Sequence, residues 1–183
     1  MRLRSFRFRL MQRCAAASLL LAGAACTSTF PAPAAGVPEL LRPPATEVLL
    51  ATYAAQGVQI YECRAAAAGR MEWSLLAPEA ELFDDLGRRV AHHYAGPTWE
   101  SLDGSKVTGS VAARTASPRP DAIAWLLLTG SASGRGAFEK VTSIQRVNTR
   151  GGTAPNADTC TPATAGQQAR IRYAADYAFY RSR

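Results

Sequence analysis

Residues 171–180 read IRYAADYAFY, and the strict alternation of this stretch constrains the fold more than any other feature of the chain. Ile171, Tyr173, Ala175, Tyr177 and Phe179 fall on one face of an extended chain, with Arg172, Ala174, Asp176, Ala178 and Tyr180 on the other. A helix would scatter the same side chains around its circumference. Similar signals recur upstream. Residues 57–63 (GVQIYEC) alternate with β-formers throughout, residues 71–77 set Trp73 and Leu75 on one face, and Val90 to Tyr94 form a short run. Lys106 to Arg114 place Val107, Gly109 and Val111 together, and Glu139 to Thr149 are rich in β-branched side chains. Residues 123–129 (IAWLLLT) are nearly all apolar, as expected of a strand covered on both faces. Turn signals separate these runs: a turn at Asp84-Asp85-Leu86-Gly87 within 78–89, a type I′ hairpin at Asp103-Gly104, a loop at 115–121, and a Ser/Gly turn at 130–136. Seven or eight strands at hairpin spacing predict a mainly β domain, an antiparallel sandwich or barrel. One short N-terminal helix is expected over 46–56, with Thr46 as N-cap, Val48, Leu49 and Tyr53 near helical spacing, and Gly57 as its end.

The first 25 residues read as an address. Arg2, Arg4, Arg7, Arg9 and Arg13 precede the uncharged run 14–25 (CAAASLLLAGAA), which is too short for the roughly 20 residues of a membrane-spanning helix. A basic start, a short apolar run and small residues at its end make a secretory signal peptide. Two cleavage routes stand. Gly23-Ala24-Ala25-Cys26 resembles a bacterial lipobox, although Gly23 replaces the leucine that the pattern prefers, and makes Cys26 a candidate lipidation site and membrane anchor. The other is ordinary cleavage after Ala24 or Ala34, both of which complete A-x-A sequences. Residues 26–45 are rich in Pro and Ala and are expected to be an extended tether, leaving 46–183 as a single β domain.

Charge looks different after processing. The whole chain carries +7, but five arginines leave with the signal, so 16 basic side chains face 14 acidic ones. Lys106 and Lys140 are the only lysines. A nearly neutral domain without a basic run lacks the electrostatic footprint of a nucleic-acid binder. Cys63 and Cys160 are the cysteines left besides Cys14 and Cys26. In an exported chain a pair is most simply a disulfide, which would tie the long loop over 150–168; a metal pair or a reactive thiol is the rival. No ligand spacing for zinc accompanies them, so no metal and no cofactor are expected.

Several segments are familiar together: Gly57 to Cys63, Gly96-Pro97-Thr98-Trp99-Glu100, Asp103 to Val107, Trp125 to Leu128, Ile144 to Thr149, Gly151-Gly152 with Ala154-Pro155, and Ala174 to Tyr180. In this order, over about residues 43–181, they resemble the exported bacterial and fungal family catalogued as domain of unknown function 3455. The resemblance implies one domain, export, and Cys63 and Cys160 as family positions. It implies no activity.

Chemistry-bearing residues are few. His92 and His93 are the only histidines; as strand neighbours they point to opposite faces and do not readily share one ion. Either could serve as a general base oriented by Glu100 or Asp103, the weak catalytic candidates, with solvated surface histidines as the plainer role. Ser101 and Ser105 lack a nucleophile-elbow context, and there is neither a phosphate-binding loop nor a dinucleotide fingerprint. Trp99 and Lys106, in the short stretch around Glu100, could line a ligand groove, although a tryptophan is more often core. Arg146, with Asn148 on the same predicted face, could bind an anion or pair with Glu100 across strands. The sequence therefore points to an exported envelope module of binding or structural character, partnered by an unidentified small molecule or envelope component. A small secreted hydrolase or isomerase using His92 or His93 is the alternative.

Overall fold

The computed structural model describes residues 36–183. The expected signal peptide, Cys26 and the first part of the expected tether lie outside the described residues. Eight strands follow one another: β1 (Glu47–Ala65), β2 (Met71–Phe83), β3 (Arg89–Tyr94), β4 (Thr98–Ser101), β5 (Lys106–Thr115), β6 (Trp125–Ser133), β7 (Val141–Gly151) and β8 (Gln168–Ser182). Each pairs antiparallel with the next, and β8 returns to β1, so the sheet closes into an up-and-down barrel. Closure leaves no unpaired edge for another chain to extend. Of the two architectures that the strand spacing predicts, a sandwich or a barrel, the chain adopts the barrel.

The expected helix over 46–56 is instead the first half of β1, a strand of 19 residues. Its alanines carry little strand preference, yet Ala51, Tyr53, Ala55 and Gly57 face inward with a period of two. Their partners are remote in sequence: Tyr53 lies opposite Tyr177 and Ala55 opposite Ala175. Gly57 ends nothing. It sits where β1 and β2 approach closely, and a Cβ there would lie 2.1 Å from the Glu79 carbonyl oxygen. The strand expected over 71–77 runs on through residues 78–83, with Ala80 and Leu82 facing inward. The Asp103-Gly104 turn is not type I′, because Gly104 takes a left-handed φ of 86° and Asp103 does not.

Inward-facing side chains fill one end of the barrel. Leu82, Ala91, Val107 and Phe179 pack there, and Phe138, from the connection after β6, stacks on Phe179 at 4.6 Å between ring centres. The outer face of β6 is also covered. Trp125 and Leu127 lie under Val37 and Leu41, and the Gln145 Nε2 donates to the Leu41 carbonyl at 2.7 Å. Residues 36–42 are thus not free tether but a strap docked on the barrel wall. This is why IAWLLLT is apolar on both faces although the described residues form no second sheet.

Candidate functional site

The connections at 66–70, 95–97, 116–124 and 152–167 all lie at the end opposite Phe138, as the alternating strand directions require. At this end the barrel is hollow. A cavity of about 770 Å³ opens between the walls, and its lining includes Gln59, Tyr61, His93, Trp99, Arg146 and Tyr177. Leu126 and Leu128 supply apolar wall, while Leu75, Leu76 and Val111, all strongly exposed, form an apolar rim. Neither Asp nor Glu is among the lining residues; their two formal charges are Arg114 and Arg146.

β3 and β4 set the aromatic floor. Their register pairs His93 with Trp99, both pointing inward and almost wholly buried. The two rings lie parallel, 4.2 Å apart, and Tyr177 meets each edge-on at 5.3 Å. His93 Nδ1 donates to the Thr98 carbonyl at 2.9 Å, because a carbonyl can only accept. Burial pushes the imidazole down to about 3 against that bond, with Arg146 and His92 adding to the effect. At neutral pH it is therefore an uncharged ring with Nε2 as its acceptor atom. The Trp99 Nε1 and Gln59 Nε2 are buried donors without a hydrogen-bond partner.

Arg146 enters from β7, half-buried, and its Nε and an Nη hold the Ala124 carbonyl at 3.2 and 2.9 Å. No carboxylate pairs with it among the described residues. Its charge opposes the upward push that burial gives the Tyr61 and Tyr173 phenols. The expected pairing of Arg146 with Glu100 does not form. Nor does Asn148 share its face: β7 is bulged between Val147 and Arg150, Asn148 takes φ 52°, and its amide donates outward to Asp176 at 2.7 Å.

The remaining sequence candidates lie elsewhere. His92, opposite Glu100 in the register, faces outward and approaches Glu81 at 3.2 Å. Glu100 accepts from the Tyr94 hydroxyl at 2.8 Å and pairs with Lys106 at 3.2 Å, and Lys106 is not part of this cavity's lining. Asp103 sits at the filled end. It accepts from the Ser105 hydroxyl, the Ser105 amide and the Ala137 amide, which hold its carboxyl down to about 2. The Ser105 hydroxyl in turn accepts from the Phe138 amide at 3.0 Å. Asp103 thus pins the plug in place. The barrel wall and its length separate His93 from Glu100 and Asp103, and these three do not form one site.

A disulfide between Cys63 and Cys160, with Cα atoms 5.3 Å apart, anchors the 152–167 connection at the open end. Tyr61 donates to the Gly152 carbonyl at 2.6 Å, and Trp73 Nε1 to Thr159 at 2.9 Å. Thr153 and Ala154 of this connection form part of the cavity wall. Gln59, Tyr61, Tyr177 and Arg114 were not singled out as site residues in the sequence. The inward parity of β1 and β8 carried the signal for the first three. Arg114 could not be read this way, because a bulge between Val111 and Ala113 moves it inward. Among the described residues no cluster of His, Cys, Asp and Glu is arranged to hold a metal.

The family model described as "Protein of unknown function (DUF3455)" matches residues 44–181, and the chain belongs to that family. No curated protein and no solved structure matches it.

Proposed function

We propose that this member of the DUF3455 family is an exported, non-catalytic module that holds a small molecule inside its barrel. The observation that carries the reading is the cavity itself. A volume of about 770 Å³ falls within the range of small-molecule sites, and its wall combines apolar surface with a few polar groups. Buried donors without partners, at Trp99 and Gln59, carry a desolvation cost that a bound acceptor would offset.

Against a catalytic role stands the separation of His93 from Glu100 and Asp103. A base held down to about 3 is also poorly matched to proton abstraction near neutrality. The export part of the proposal rests on the N-terminal sequence, and the disulfide supports it, since such bonds persist in oxidising compartments. Anchoring through Cys26 belongs to the same proposal. Metabolic labelling with a fatty acid should mark the wild type but not Cys26→Ser, and an unlabelled wild type would instead indicate ordinary signal cleavage.

Binding is tested with Nile red, a neutral dye that brightens in apolar surroundings. The folded protein should take it up saturably. Val111→Trp, at the exposed rim, should weaken uptake while melting stays unchanged. Absence of saturable uptake by the folded wild type would refute the reading.

A further inference from the structure

We propose that the cavity is built for an apolar monocarboxylate, with its carboxylate held by Arg146 and its hydrocarbon body against the Trp99, Leu126 and Leu128 wall. The inference rests on the binding role above and names the ligand class of the same site. Three observations converge on it. First, the charge inside the cavity is one-sided: Arg114 and Arg146 line it, and no acidic side chain does. Taking a guanidinium out of water is costly without an anion beside it, and Arg146 has only a neutral carbonyl.

Second, the hydrogen-bonding surplus is in donors. A guanidinium has five N–H groups, of which two donate to the Ala124 carbonyl, and the indole of Trp99 and the amide nitrogen of Gln59 are unpartnered. An ionised carboxylate is acceptor-only and complements such a set. Third, the rest of the wall is largely aliphatic and aromatic, and the rim at Leu75, Leu76 and Val111 is apolar and exposed, which suits entry of a hydrocarbon chain. A phosphate or a sugar would leave that surface against polar atoms.

The test compares decanoate with 1-decanol by calorimetry on the disulfide-intact wild type, Arg146→Met and Arg146→Lys, each first checked for wild-type melting. A charge-assisted contact predicts that the wild type binds decanoate at least about tenfold more tightly than decanol. Arg146→Met should lose that preference while still binding decanol, and Arg146→Lys should keep part of it. If the wild type binds both equally, the carboxylate assignment fails although the cavity still binds. A preference that persists in Arg146→Met overturns the role of Arg146. If neither compound nor Nile red is taken up, the binding role itself fails.

Discussion

Replacing His93 by Phe should change how the barrel responds to acid. The ring is 2% exposed and stacked on Trp99, so protonation in the folded state would place a charge in the aromatic floor. Burial lowers its folded value to about 3, whereas the unfolded chain binds the proton near 6.5. For a group depressed in this way, its stabilisation is complete above the unfolded value and is lost as pH falls from 6.5 toward 3. Linkage then removes about 1 kcal/mol at pH 5.5 and about 3 kcal/mol at pH 4 from the wild type. His93→Phe loses the Thr98 hydrogen bond at every pH but carries no such titration. The measurement is urea unfolding of both proteins at pH 7, 5.5 and 4. The variant, less stable at pH 7, should gain on the wild type by those amounts, while titrations elsewhere cancel. A stability difference independent of pH would refute the placement of a neutral imidazole inside the barrel.

Three further outcomes follow from the same geometry. Replacing both Cys63 and Cys160 by Ser opens a covalent loop spanning 97 positions and should cost about 3–5 kcal/mol in unfolding free energy, measured by denaturant titration; an unchanged midpoint would contradict the anchoring role. Gly57→Ala forces a Cβ onto the Glu79 carbonyl and should destabilise by about 2 kcal/mol or more, read as a lower melting temperature. Asp103→Asn should melt lower than wild type at neutral pH. The gap should close as pH falls below the ordinary 3.8 toward 2, because a carboxyl held low stabilises above its unfolded value and loses that advantage in acid. A gap that widens in acid would show that Asp103 does not pin the plug as a carboxylate.

Strand identity was legible wherever alternation reported burial directly. The parity of Tyr173, Tyr177 and Phe179 is the parity of the barrel interior. The disulfide was legible from cysteine number and compartment. The first half of β1 was not, since Ala51 to Gln56 satisfy a helix as readily as a strand, and only pairing with β8 decides between them. The both-face apolarity of β6 was read correctly, but its cause lies in Val37 and Leu41, inside a segment whose prolines suggested a tether. For the site, the sequence placed Trp99, His93 and Arg146 among its candidates without joining them. Their convergence depends on cross-strand register and barrel closure, which span more than 50 positions of chain. Glu100, Lys106 and Asp103 were drawn in by closeness in sequence, yet alternation turns the first two outward and the hairpin carries the third to the filled end.

On the proposed function, the hollow end of the barrel is an occupied site in the working protein. Proton–nitrogen correlation spectra during a decanoate titration test it most directly, with the Trp99 indole assigned from Trp99→Phe. The Trp99 Nε1–H and the Gln59 amide should shift together and saturate at one affinity, while Trp73 and Trp125, outside the cavity, stay in place. Shifts confined to Trp73 and Trp125, or none that saturate at Trp99, would contradict it.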